Sequence, residues 1–183
     1  SPLPPPPSPP SSAVSRILED ALAFSQIRQV RWSCVVDART VRIEYIREDR
    51  YVNRIELINT SVGWERSRDV VTSRCPDDEP QSHVAFEIAV PSMPRSVDYF
   101  SSTIRAISTI FPNTTLHVVT ARPDKLYAPW IHMFDVHILN VASTSLKIRS
   151  IAMYEYAMSL SSTNVMVIED DVVVHTNAYT IFQ

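Results

Sequence analysis

The sequence predicts an α/β fold in which helices cover both faces of a mostly parallel, doubly wound sheet. Three observations carry that prediction. From residue 83 onward, short apolar runs alternate with segments of helical periodicity. The runs are apolar almost throughout, as strands buried on both faces must be. The last of them, Val165–Ile168, leads straight into Glu169-Asp170-Asp171. In open α/β sheets the carboxyl ends of the strands are where ligands bind.

Residues 1–12 read SPLPPPPSPPSS. Such a run favours extended polyproline II and is expected to be a linker or stalk. Residues 13–82 are expected to form a helix-and-strand appendage. Val14, Ile17, Leu18, Ala21 and Leu22 recur at helical spacing within 13–29, with Ser12 placed to cap the start. Residues 41–47 alternate, Val41, Ile43 and Tyr45 against Arg42 and Glu44, as a half-buried strand does. Ile55 and Leu57 indicate another. Residues 60–82 are polar, contain Cys-Pro-Asp-Asp-Glu-Pro, and predict an exposed loop and a boundary.

Residues 83–183, from His83 on, are expected to form the ligand-binding part. Val84–Val90 predicts a buried strand that stops at Pro91. Val97, Phe100, Ile104, Ile107 and Phe111 share one helical face, and Pro112 ends that helix. Leu116–Val119 and Val136–Leu139 predict two further strands, Lys147–Leu160 a second helix, and Val165–Ile168 the last strand.

Composition removes several function classes. The 183 residues carry a net charge of −3, so no basic excess points to nucleic acid. Gly63 is the only glycine, which excludes a GxGxxG fingerprint and a Walker loop. Phosphate must then be held by side chains, a metal ion or a helix N-terminus. No window approaches the roughly 18 apolar residues of a membrane span. The chain starts at Ser1 and stops soon after Asp171. Both ends are expected to be cuts, with any membrane anchor upstream of residue 1. Two readings of Cys34 and Cys75 stand: buried free thiols, or one disulfide tying the N-terminal segment together. Sequons occur at Asn59 and Asn113.

Three adjacent carboxylates repel one another, and a cation among them relieves that repulsion. Oxygen donors suit Mn²⁺ or Mg²⁺. Such an ion could bridge protein and diphosphate and neutralise a leaving group. The position at a strand end favours this over a merely solvated acidic turn.

Taken with Ile88-Ala89-Val90-Pro91-Ser92-Met93-Pro94-Arg95, the segment Tyr154 to Met158, and Val167-Ile168-Glu169-Asp170-Asp171-Val172-Val173-Val174, the acidic turn gives the chain a resemblance. It resembles the GT-A glycosyltransferases, above all the N-acetylglucosaminyltransferase IV family and the related enzyme that adds N-acetylgalactosamine to GPI glycans. The likeness covers about residues 83–183. It implies a GT-A Rossmann-like sheet, truncated at the C-terminus. It also implies metal-dependent transfer of GlcNAc or GalNAc from a UDP-sugar to a glycan or GPI-glycan acceptor. Asp171 falls on the family's metal-binding acid, with Glu169 beside it. Pro91, Ser92, Arg95 and Asp170 fall at the nucleotide-sugar site. The acceptor half and the catalytic base are expected beyond Gln183, so the chain alone is expected to be inactive. The implied setting is the Golgi or ER lumen, membrane-anchored.

Arg122 and Asp124, after the second of these strands, could meet phosphate or ribose. His132, His137 and His175 are given structural roles, since a lone histidine says little about chemistry. Trp130, Phe134 and Tyr154 are expected in the core. Two rivals remain: a nucleotidyl- or phosphoryl-transfer enzyme using the same acids, and a non-catalytic luminal binding domain.

Overall fold

A computed structural model describes residues 11–72, 86–160 and 164–174. The proline run up to residue 10, Cys75, His83 and His175 lie outside the described residues. The elements are α1 (Ser11–Ser25), β1 (Val30–Asp37), β2 (Thr40–Ile46), β3 (Val52–Thr60), β4 (Gly63–Arg66) and β5 (Glu87–Ser92). They continue with α2 (Phe100–Ile110), β6 (Leu116–Thr120), β7 (Asp135–Ile138), α3 (Leu146–Met158) and β8 (Val165–Val167). A single 3-10 turn, Lys125–Tyr127, precedes β7.

The described strands form one eight-stranded sheet in the order β1-β2-β3-β7-β6-β5-β8, with β4 paired to β3. The strands β3, β7, β6, β5 and β8 run parallel. Antiparallel pairs join β1 to β2, β2 to β3 and β3 to β4. Segment 13–82 thus extends the sheet of the C-terminal part through β3 and β7. Two of its strands were not foreseen. β1 lacks clean alternation, and β4 lies inside the stretch read as polar loop. Gly63 opens β4 at φ +120°, a backbone conformation that side chains rarely tolerate.

Alternate residues of a strand face opposite sides, and β5 shows how the two faces are covered. Ile88 and Val90 pack with Phe100, Ile104 and Ile107 of α2. Ala89 packs with Met153, Tyr156 and Ala157 of α3 on the other face. α1 lays Ile17, Leu18, Ala21 and Leu22 over Val41, Ile43, Ile55 and Leu57. It begins at Ser11, so Ser12 lies inside its first turn. It ends at Ser25, four residues earlier than the periodicity suggests, and Gln26 after it takes φ 56°.

Pro91 was expected to end a strand, yet it lies within β5, paired with Val119. The ladder explains the tolerance. Ile88 N–H donates towards β6, to Thr115, and Glu87 N–H towards β8, to Asn164. By alternation the missing N–H of Pro91 faces the β8 side, where pairing has stopped at Ala89–Val167.

Candidate functional site

The chain leaves β5 through α2 to reach β6, and it arrives at β8, on the other side of β5, after α3. The two helices lie on opposite faces. The boundary between β5 and β8 is therefore the sheet's topological switch point, where a crevice opens at the carboxyl ends. Ser92 closes β5 there. On β8, Ile168 N–H donates to Ala89 carbonyl, and the chain turns at Glu169–Asp171.

Side chains knit this crevice together. Ser92 Oγ donates to Asp170 Oδ2 at 2.7 Å and stands 3.0 Å from the Tyr127 hydroxyl. Arg95 reaches both acids, with Nη2 donating to Asp170 Oδ1 at 3.0 Å and Nη1 to Asp171 Oδ2. The Tyr154 hydroxyl donates to Glu169 Oε1. Thr103 of α2 donates to the Val172 carbonyl at 3.0 Å, holding the chain after the turn. Tyr154 is thus part of the acidic turn and not of the core, a correction to the sequence reading. Trp130 and Phe134 do belong to the core around α2.

Burial separates the three acids. Asp170 is 4% exposed, whereas Glu169 and Asp171 face solvent. Burial pushes the Asp170 carboxyl up, against the hydrogen bond from Ser92 and the charge of Arg95. The hydrogen bond from Arg95 holds Asp171 below the ordinary range. Burial pushes the Tyr154 phenol up to about 12, reinforced by the hydrogen bond and charge of Glu169. Tyr127 is also pushed up to about 12, again by burial first. Both phenols therefore keep their protons near neutral pH. Three carboxylates against one guanidinium leave local negative charge, with Glu169 and Asp171 exposed and offering oxygen donors of the kind that hard divalent ions take.

Of the residues singled out in the sequence, Ser92, Arg95, Glu169, Asp170 and Asp171 converge here, with Pro91 buried one step back in β5. Arg122 lies on the same edge but is exposed and stands apart. Its backbone is held by Thr120 Oγ1, and its guanidinium makes no ion pair among the described residues. Asp124 caps the 3-10 turn by accepting from Leu126 N–H. The apolar run Val172–Val174 after the turn is irregular, with Val173 98% exposed. Beside it lies a cleft of about 170 Å³ lined by Tyr99, Thr103, Asp171 and Val172–Val174. A larger cleft of about 370 Å³ lies at the ends of β6 and β7, with Arg47, Arg66, Ala121 and Asn140 in its wall.

A second group of metal-ligating type lies on the α3 face. His117, Asp135 and His137 each offer a donor atom, all within 4.8 Å of one another, and could hold a metal ion. Sequence reasoning missed it. Asp135 and His137 are two apart on one strand and so share a face, but His117 joins them only through the pairing of β6 with β7. Cys34 is disulfide-bonded, which removes the free-thiol reading. No family model matches the chain, and neither a curated protein nor a solved structure matches it.

Proposed function

We propose that the chain is the donor-binding part of a metal-dependent glycosyltransferase, moving GlcNAc or GalNAc from a UDP-sugar to a glycan acceptor. The observation that carries this reading is the acidic turn at the switch point, with Arg95 and Ser92 folded onto it. Asp171 and Glu169 would hold a divalent ion such as Mn²⁺, which would supply neutralisation of a departing diphosphate. The protein's own groups do the rest. Ser92 keeps Asp170 turned inward, and Asp170 and Asp171 hold the Arg95 guanidinium at the mouth of the crevice. A guanidinium so placed suits phosphate oxygens once it is released from Asp171. The 370 Å³ cleft further along the same edge is of the size that takes a nucleoside. The disulfide at Cys34 is in keeping with a luminal, oxidising compartment. No helix among the described residues is long and apolar enough to cross a membrane.

Isothermal titration with UDP, in Mn²⁺ and in EDTA, tests the reading. Binding is expected in Mn²⁺ only, and Asp171→Asn is expected to weaken it at least tenfold while leaving the circular dichroism unchanged. Equal binding of UDP in Mn²⁺ and EDTA sinks the metal. Preference for a nucleoside triphosphate over UDP-GlcNAc and UDP-GalNAc favours the phosphoryl-transfer rival instead.

A further inference from the structure

We propose that His117, Asp135 and His137 form a second metal site, independent of the acidic turn, which takes zinc or a similar borderline divalent ion. His117 on β6 lies in register with Asp135 on β7, and His137 follows two residues later on the same face. His117 Nδ1 stands 3.1 Å from His137 Nε2 and 3.8 Å from Asp135 Oδ2. Zinc bonds of about 2.0–2.1 Å at tetrahedral angles set neighbouring donors about 3.3 Å apart. The observed spacings straddle that value. The two histidines are 6% and 1% exposed, so the imidazoles are already desolvated and fixed.

The outward nitrogens have the partners that metal-bound histidines use. His117 Nε2 lies 3.2 Å from Glu87 Oε2, and His137 Nδ1 lies 2.9 Å from the Tyr156 hydroxyl. Glu87, as a carboxylate, accepts the Nε2 proton of His117 and leaves the Nδ1 lone pair pointing inward. The Tyr156 oxygen can do the same for His137 Nδ1. Two inward lone pairs at 3.1 Å repel unless a proton or a cation lies between them. Imidazole donors select zinc, cobalt, nickel or copper over magnesium and calcium. Asp135 supplies the anionic donor. It pairs at 3.0 Å with Arg31, a part-exposed side chain that also has Glu44 at 3.6 Å as a carboxylate partner.

The site ties β6 to β7 under α3 and does not belong to the transfer chemistry. Asp135 opens β7 and His117 is the second residue of β6, so these two lie in the amino-terminal halves of their strands, with His137 two residues further on.

The test uses the full chain, stripped with chelator and titrated with Co²⁺ while visible absorption is followed. One equivalent is expected to give the intense bands of a four-coordinate ion, bleached by Zn²⁺. Asp135→Asn, at a half-exposed position that keeps the fold, and His137→Gln are each expected to weaken cobalt binding at least tenfold. Asp171→Asn is expected to leave it unchanged, which keeps this outcome distinct from that of the UDP titration. Absence of a four-coordinate spectrum from the folded wild type overturns the site. So does a spectrum that survives both Asp135→Asn and His137→Gln, or one that disappears with Asp171→Asn.

Discussion

Asp170 is the acid of the triplet that the fold takes out of water, at 4% exposure. A buried carboxylate costs folding free energy, and the donors Ser92 and Arg95 offset only part of it. Burial therefore holds its proton affinity above the ordinary carboxylate value. The sign follows from linkage. The stability this group contributes is complete below the unfolded value and is lost as pH rises through the raised folded value. Asp171 behaves oppositely. Its contribution, set by the hydrogen bond from Arg95, is present above the unfolded value and is lost as pH falls through the depressed folded value. Asp170→Asn is accordingly expected to raise the melting temperature at about pH 7, with the difference closing by about pH 3. Asp171→Asn is expected to bring no such gain. Thermal unfolding of both variants across pH decides it, and a melting temperature lowered by Asp170→Asn at neutral pH rules the argument out. A stabilising loss of a site acid is the pattern of a residue kept for function. At this scale Ser92 and Arg95 were singled out through the family resemblance, while the place of the acids at a strand end was legible from the strand-end rule. Tyr127 and Tyr154 were not, since their partners Ser92 and Glu169 lie 35 and 15 residues away in sequence.

The elements were legible where burial is two-sided or periodic. β5, β6, β7 and β8 read as apolar runs because both faces of the parallel strands are covered. β1 was hidden because its residues are half-buried in both phases, so alternation has nothing to report. β4 is too short, and its Gly63 turn too ordinary in composition, to stand out from a polar stretch. The helix α2 shows the limit of periodicity most directly. Val97 and Ile104 fall on one face when a helix is drawn through both, but α2 starts at Phe100. Asp98 accepts from Ser101 N–H at its start, which leaves Val97 outside the helix and 53% exposed. Ile104 is fully buried against the sheet. Ile104→Ala is expected to cost about 2–5 kcal/mol, through lost burial and the cavity left behind. Val97→Ala is expected to stay within about 0.5 kcal/mol. Urea denaturation of the two variants separates the readings, and comparable losses would place Val97 on the packed face after all.

The whole molecule depends on a narrow joint. The antiparallel strands β1–β4 meet the parallel strands through β3 and β7, in register at Val52–His137 and Asn53–Ile138. Side chains reinforce it. Tyr51 donates to the Asp124 carbonyl at 3.0 Å, and Arg31 pairs with Asp135. The central piece is Arg54, its side chain 1% exposed. Its Nε donates to Glu44 at 2.8 Å and its Nη1 to Ser159, the residue that follows α3, at 2.9 Å. Its guanidinium stacks 4.2 Å from the Tyr156 ring and 5.2 Å from that of Trp32. One residue thus links β1, β2, β3 and α3. None of this was legible, because a lone arginine in an alternating strand reads as a solvated face. Removing Arg54 takes the 2.8 Å partner from Glu44, itself 4% exposed, and leaves it the longer 3.6 Å contact with the part-exposed Arg31. Arg54→Ala is therefore expected to cost about 3–5 kcal/mol. Replacing both charges with apolar residues of similar volume removes the weakly paired buried carboxylate as well. The double variant Glu44→Leu, Arg54→Met is expected to be more stable than Arg54→Ala and to approach the wild type. Urea denaturation followed by far-ultraviolet circular dichroism measures both. A loss under about 1 kcal/mol for Arg54→Ala would mean that the pair is no better than a surface ion pair. A double variant no better than Arg54→Ala would place the energy of the joint in packing and stacking, not in the buried charge.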